Sequence, residues 1–316
     1  MKKLTALILA GALCLGTLTA CGGKDSAQTP APSAPAQSAE ASAPAAEPTA
    51  TPNPYEGKTL EELKPLLKTV NEGKLTVATS PDFAPYEFYA IKDGTPTLAG
   101  FDMALAQYVA DYLGLELEVV PIDFDGVLME VQTKSVDMGM AGLSADPKRE
   151  GIMDFSHIYY GGGQSFCCTE ANKDKFPDLA STNKAEYQIG AQTGSIQVDL
   201  MQTNSPDCSQ VQLAKVTDII AELLAGKLDG AYIETAVAES YKVNYPDLCV
   251  ALTVPYESKG SAIGVQKDNP VLLAAVNLAV DAALEDGSMD KFVAEANEQA
   301  TGEKYEGLLG ADGNVQ

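Results

Sequence analysis

The apolar positions of this chain change their period along its length, and each change marks an element. Lys2-Lys3 precede an apolar run from Leu4 to about Leu18, followed by Thr19-Ala20-Cys21. A basic start, a short apolar stretch and small residues before a cysteine make a secretory leader. The run is shorter than the ~20 residues a membrane span needs. From Gly22 to Pro54 there is no period. The segment is dominated by Ala, Pro, Ser, Thr, Gln and Glu, has no aromatic residue and reads as a disordered tether. Thr59 and Glu62 frame a capping box, and Leu60, Leu63, Leu66, Leu67 and Val70 predict one face of a short helix.

From Gly73 onward strand and helix periods alternate. Lys74–Thr79 predicts a strand and Ser80–Phe88 a Pro-rich loop with three aromatics. Gly100-Phe101-Asp102 opens a helix carried by Leu105, Val109 and Leu113. Leu115–Ile122 predicts a strand, Asp123 to about Ser135 a helix, and Val136–Ala141 a short buried strand. Asp146-Pro147 starts a new turn, with Arg149 one turn inside a short helix. Ile152–Tyr160 is extended. A second series begins at Ser165–Cys168. Strands are predicted at Tyr187–Gln192, Gln210–Lys215, Leu228–Glu234 and Leu248–Val254, with helices opening at Gly194-Ser195-Ile196 and at Thr217. Ser258–Val265 returns to the first series, and helices at Pro270–Leu284 and from Gly287 close the chain. Alternation of this kind predicts an α/β fold. About 225 patterned residues exceed one ordinary core, so two lobes fit the size.

Composition narrows the function classes. The formal charge is −23. Loss of a leader carrying Lys2 and Lys3 and no acid takes it to −25. Such a chain is repelled by nucleic acid and anionic surfaces. Most of its carboxylates are a solvated surface at this composition. His157 is the only histidine, and there is no Walker loop and no G-x-G-x-x-G. Ser-His-Asp catalysis, a His–carboxylate metal site and a nucleotide cofactor are therefore not expected. The six cysteines show no metal spacing. Cys167 and Cys168 read as small hydrophobes on a buried strand. Cys208 and Cys249 remain a possible disulfide pair in an oxidising compartment.

One cation stands out. Arg149 is the only arginine, against twenty lysines. A guanidinium fork grips a carboxylate with two parallel hydrogen bonds, which an ammonium cannot do. An ordinary surface arginine is the plain alternative. Arg149 follows a strand and Gly142-Leu143-Ser144, and ligands of open α/β sheets gather beyond the carboxyl ends of strands. Gly194-Ser195 at a helix start offers backbone N–H groups to an anion, with a simple turn as the alternative. Phe83 and Phe124 lie in loops off the apolar period, where a ligand wall competes with the core reading.

The run Gly142-Leu143-Ser144 … Lys148-Arg149 … Asp154-Phe155-Ser156 … Tyr159-Tyr160 resembles the polar amino-acid binding proteins of ABC importers, solute-binding family 3, with Ile158 in place of the usual proline. The resemblance covers roughly Lys74 to Asn297. It implies a two-lobed periplasmic-binding-protein-like (type II) fold, each lobe a βα sandwich, joined by a two-stranded hinge. The expected boundaries are residues 1–20 for the leader, 21–56 for the tether, 57–162 and 257–316 for the first lobe, and 163–256 for the second. Leu18-Thr19-Ala20-Cys21 resembles a lipobox, which implies cleavage before Cys21 and a lipid on its thiol.

The same resemblance implies a binding site without a cofactor. Arg149, Ser144 and the Ser195–Ile196 backbone hold the ligand carboxylate. Glu234, in a G-K-x-D-like segment where the family usually carries Asp, takes the ammonium with the carbonyl of Gly142. Phe83 and Phe124 flank the side chain, and Ser80, Asp82 and Gln192 form the specificity pocket. The implied protein is a monomer that carries a free L-amino acid to an ABC permease and touches the membrane only through its lipid. A polar neutral ligand such as glutamine is expected ahead of arginine or lysine, and these ahead of glutamate. Two other classes share the fold. A cyclohexadienyl dehydratase needs a placed acid–base pair, and turnover of prephenate or arogenate would reveal it. A sensor ectodomain is expected to carry a membrane segment after the domain, and none is read before Gln316.

Overall fold

A computed structural model describes residues 53–257 and 260–302, and the backbone of Lys304–Tyr305. The leader, Cys21 and nearly all of the tether lie outside the described residues. In chain order the elements are α1 (Leu60–Leu63), β1 (Lys74–Thr79), β2 (Asp82–Phe83), β3 (Glu87–Lys92), β4 (Thr95–Ala99), α2 (Phe101–Leu113), β5 (Glu116–Pro121), α3 (Phe124–Gln132), β6 (Met138–Gly139), β7 (Met153–Tyr160) and β8 (Gln164–Thr169). They continue with β9 (Gln188–Gln192), α4 (Ile196–Asn204), β10 (Ser209–Leu213), α5 (Val216–Leu224), β11 (Gly230–Glu234), α6 (Thr235–Asn244), β12 (Leu248–Val254), β13 (Ser261–Gln266), α7 (Pro270–Glu285), α8 (Ser288–Ala300) and β14 (Lys304–Tyr305).

Two five-stranded sheets repeat one plan. The first runs β5-β1-β6-β13-β7 and the second β10-β9-β11-β8-β12. In each, the first strand of a βαβ series lies between the second and third and is parallel to both. A strand from a crossover then pairs antiparallel with the third, through β13 in the first sheet and β8 in the second. The chain passes between sheets twice, from β7 to β8 and from β12 to β13. Helix-bearing strands end at Thr79 and Gly139 in one lobe and at Gln192 and Glu234 in the other. Those carboxyl ends are where such sheets bind ligands. One apolar cluster includes Phe83 and Tyr86 of the first lobe with Val216, Val237 and Tyr241 of the second, so the lobes touch.

Several expectations change. The apolar face from Leu60 to Val70 is not one helix. The α-helix stops at Leu63, and Lys64–Leu66 forms a 3₁₀ turn. Pro65 lacks the N–H that would continue the ladder. Leu66 and Val70 are exposed, while Leu63 is buried. The segment is tied down instead by Asp137, which accepts from the N–H groups of Val70 (2.8 Å) and Thr76 (2.8 Å). The loop expected over Ser80–Phe88 contains β2 and the start of β3. The hairpin β3–β4 was not expected. Its two turn residues, Asp93 and Gly94, both have positive φ, and Asp-Gly is a strong signal for a two-residue hairpin turn. The strand expected over Val136–Ala141 pairs only at Met138–Gly139. Cys208 and Cys249 are not bonded to each other. Cys208 adjoins β10 and Cys249 lies on β12, at opposite edges of a five-stranded sheet. Strands ~4.8 Å apart put them beyond disulfide reach.

Candidate functional site

Arg149 ends a 3₁₀ turn, Pro147–Arg149, capped by Asp146, whose carboxylate accepts from the Lys148 N–H at 2.8 Å. The turn brings the guanidinium to the facing lobe. Nη2 donates to the Gly194 carbonyl at 3.1 Å, and Cζ lies 5.5 Å from the centre of the Phe124 ring. Arg149 is only 8% exposed, yet it has no carboxylate within ion-pair distance among the described residues. Burial pulls its pKa down, against the fields of Asp146, Tyr256 and Asp199. A guanidinium that is desolvated and lacks an anionic partner is costly by itself and attractive to an anion.

The groups around it suit an anion. Ile196 is the first residue of α4, and its N–H has no partner among the described residues. The Ser195 hydroxyl turns back to the Gln192 carbonyl at 2.7 Å, so its side chain does not cap α4. Ser144 is buried and bridges through its backbone to Ser261. A cavity of about 250 Å³ opens here, lined by Asp146, Arg149, Gly194, Ser195 and Ile196 among others. Tyr256, on the second crossover, was not foreseen. It lies near Ser144, Asp146 and Arg149, and burial pushes its pKa up to about 12, with the Asp146 field adding to the rise and Arg149 opposing it. Nothing in its sequence context marked it.

Glu234 caps α6 on the opposite lobe. Its carboxylate accepts from Val237 N–H at 2.9 Å and Gly163 N–H at 3.2 Å. Burial raises its pKa, while these N–H groups, that of Ala236 and the Tyr86 hydroxyl act the other way. Ser261 donates to the Tyr86 hydroxyl at 3.3 Å. Tyr86, fully buried, thus joins Glu234 to the first lobe. Its ring packs on Phe83, Phe101 and Tyr160 at centroid distances of 5.4, 4.3 and 5.5 Å. As one of three aromatics in a Pro-rich stretch, Tyr86 carries no sequence mark of this role.

Gly142 has φ +56, and a Cβ there would sit 2.7 Å from the Phe83 ring. Both facts require glycine. Its N–H donates to Asp102 at 3.0 Å, and Asp102 also accepts from the Tyr159 hydroxyl at 2.7 Å. Phe83 therefore packs on Gly142 and Tyr86, while Phe124 underlies Arg149. The structure gives the two rings different neighbours and records no contact between them.

Ser80, Asp82 and Gln192 come together in one buried chain of hydrogen bonds. Ser80 donates to Asp82 at 2.7 Å and the Gln192 amide to Asp82 at 3.3 Å and to the Ala214 carbonyl at 3.0 Å. Asp82 also accepts from Val216 N–H at 2.5 Å, at the start of α5. Its carboxylate thus spans the lobes. Burial raises its pKa to about 6, opposed by the Ser80 hydroxyl and the Val216 N–H. Among the described residues, no cluster of His, Cys, Asp and Glu is placed to hold a metal, and no helix is long and apolar enough to cross a membrane.

Two lobes, two crossovers and an interlobe cleft bearing a buried cation and a buried acid define a cleft-closing small-molecule binder of the type II periplasmic-binding class. The model of the bacterial extracellular solute-binding proteins, family 3, matches residues 75–297, and the chain belongs to that family. It is 31% identical over 223 residues to the arginine-binding extracellular protein ArtP of Bacillus subtilis, covering 69% of this chain and 84% of that protein. Among solved structures, the amino-acid ABC transporter substrate-binding protein AbpA of Streptococcus pneumoniae bound to L-arginine superposes with a TM-score of 0.70 at 32% identity. The match covers 73% of this chain and 98% of that one. An ancestral arginine-binding protein bound to glutamine gives 0.64 at 28% identity, covering 71% and 98%. The chain is thus an extracytoplasmic amino-acid-binding component of an ABC transport system.

Proposed function

We propose that the ligand is a cationic L-amino acid, arginine ahead of glutamine, held as a zwitterion between the lobes and released to the permease. The observation that carries the reading is Arg149, buried at 8% exposure without an anionic partner among the described residues. Its fork takes the α-carboxylate with Ser144 and the Ser195–Ile196 backbone. Glu234 and the Gly142 carbonyl take the α-ammonium. The faces of Phe83 and Phe124 receive the side chain, with Ser80, Asp82 and Gln192 at its end. Arg149 and Glu234 sit on opposite lobes, so only a ligand with both charges rewards closure.

The ordering departs from the polar neutral ligand expected from sequence. The relatives named for arginine support the change, as does a buried Asp82 near the aromatic faces, since an acid and a ring together attract a guanidinium. Glutamine stays second because one such relative is recorded with it. A competition series with Arg, Lys, Gln, Glu and Leu at fixed ionic strength, read by calorimetry, tests the order. Glutamate binding tightest would sink it.

Our reading also includes binding without turnover, as a monomer. An assay with prephenate and arogenate checks the first part. Cys21, after Leu18-Thr19-Ala20, is taken as the lipid-bearing residue that ties the protein to the membrane. Cys21→Ser is expected to release it into the medium or periplasm, and a mutant that stays with the membrane fraction would refute the anchor.

A further inference from the structure

Strands β8 and β12 are the two that carry the chain into and out of the second lobe. They pair antiparallel, and their register sets Cys168 directly opposite Cys249. The neighbouring pairs, Thr169 with Leu248 and Cys167 with Val250, are in step with it. Directly opposed residues of an antiparallel ladder point to the same face, with Cα atoms ~4.5 or ~5.5 Å apart. Both separations fall inside the disulfide window of roughly 4.4–6.8 Å. Cys168 and Cys249 share one apolar cluster, whereas Cys167, on the other face, belongs to a different one. Cys208, the fourth described thiol, is at the far edge of the sheet.

We propose that Cys168 and Cys249 form a structural disulfide in the mature protein. The compartment of an extracytoplasmic binding protein permits it. The step is thiol–disulfide exchange with a donor disulfide, either an extracytoplasmic oxidoreductase or a small oxidised thiol. One cysteine thiolate attacks the donor, and one donor sulfur leaves as a thiol. The second cysteine then displaces the other donor sulfur. Two cysteine thiols are oxidised, the donor disulfide is reduced to two thiols, and the two protons end on those thiols.

Burial also sets when this happens. Cys168 is inaccessible and Cys249 is 8% exposed. Burial pushes the Cys168 thiol up to about 12 and raises Cys249, whose neighbour Glu170 adds to the effect. Thiolate attack is slow from such a site. The bond forms while the chain folds and is then sealed in. It closes a long loop containing β9 to β11, which is most of the second lobe. It does not touch the ligand cleft.

The test uses the full chain exported with its own leader, alkylated at harvest in denaturant without reductant, and sequenced by fragmentation mass spectrometry. A peptide cross-linked between residues 168 and 249 is expected, and it should persist in Cys167→Ser and Cys208→Ala. Full alkylation of all four thiols, or a bond to Cys167 or Cys208 in place of this one, overturns the proposal. Wild type reduced in denaturant and refolded with reductant present should melt roughly 10 °C below the oxidised protein. Cys249→Ser should melt like the reduced wild type and ignore reductant. A wild type whose melting temperature ignores that treatment also overturns the proposal.

Discussion

Replacing Arg149 with lysine is expected to weaken ligand binding roughly 10- to 150-fold. The estimate corresponds to the ~1.5–3 kcal/mol of a hydrogen bond to a charged group. Charge is conserved in this substitution, so the loss measures geometry. A lysine ammonium offers a point charge where the guanidinium offers a planar fork. It would also forfeit the guanidinium's position over Phe124. Next door, Lys148 makes a 2.6 Å ion pair with Asp199 across the same cleft, with both side chains well exposed. Exposed pairs of this kind contribute ~0–1 kcal/mol. Lys148→Ala is therefore the control, expected to change affinity less than about sixfold. Calorimetry on both variants decides the matter. Equal losses at the two positions would mean that Arg149 acts only through general charge, and an unaffected Arg149→Lys would remove it from the site.

The contrast between neighbouring cations explains how cleft closure can be selective. Lys148–Asp199 and the Asp82–Val216 bond join the lobes without a ligand. The exposed Lys148–Asp199 pair is weakly discriminating, because it makes the same contact whatever lies between the lobes. Arg149 and Glu234 differ: each is buried, and each keeps capacity toward the cleft. A ligand shifts closure only by its differential contact with the closed state. In the pose we propose, a zwitterion meets both groups at once, and a molecule lacking either charge leaves one of them desolvated and unpaired.

Local chemistry was legible in the sequence, and long-range pairing was not. A single arginine after a Gly-x-Ser turn could be singled out because composition made it rare. Gly142 could be placed because a strand end with free backbone needs a residue without a side chain. The alternation of periods gave the order of strands and helices in both sheets. Asp93-Gly94 carries a hairpin signal and Pro65 a helix stop, both readable from local sequence. Other features had no local mark. The Asp82 carboxylate meets Gln192 and Val216 from 110 and 134 residues away. Tyr256 reaches Ser144 from the far crossover. The pairing of Cys249 with Cys168 in place of Cys208 depends on strand order, which no spacing encodes.

Acidification is expected to stabilise this protein, the reverse of common acid behaviour. Asp82 and Asp102 are both buried, and each is raised from 3.8 to about 6. Glu87 is fully buried beside Asp102, with neither oxygen conventionally hydrogen-bonded, and it is raised well above 4.5. For an acid raised in the folded state, folding takes up a proton between the unfolded and folded pKa values. Stability is then full below about pH 4, falls as pH rises through about 6, and is level above that for the two aspartates. Glu87 prolongs the decline to higher pH. Each aspartate is worth on the order of 3 kcal/mol, and because the three acids influence one another the contributions do not add. The carboxylates lowered by partners, Glu62, Glu170 and Asp286, are exposed and act in the opposite sense only below about pH 4. Between pH 7.5 and 5 the melting temperature should rise by roughly 5–15 °C at constant ionic strength. Glu87→Gln, a neutral mimic of the protonated acid, should leave the pH 7.5 value unchanged or higher. Asp82→Asn should flatten the slope between pH 4 and 6. A melting temperature that falls steadily from pH 7.5 to 5 would show that these carboxyls are ionised and paired in the folded state, and the buried-acid account of the cleft floor would have to be abandoned.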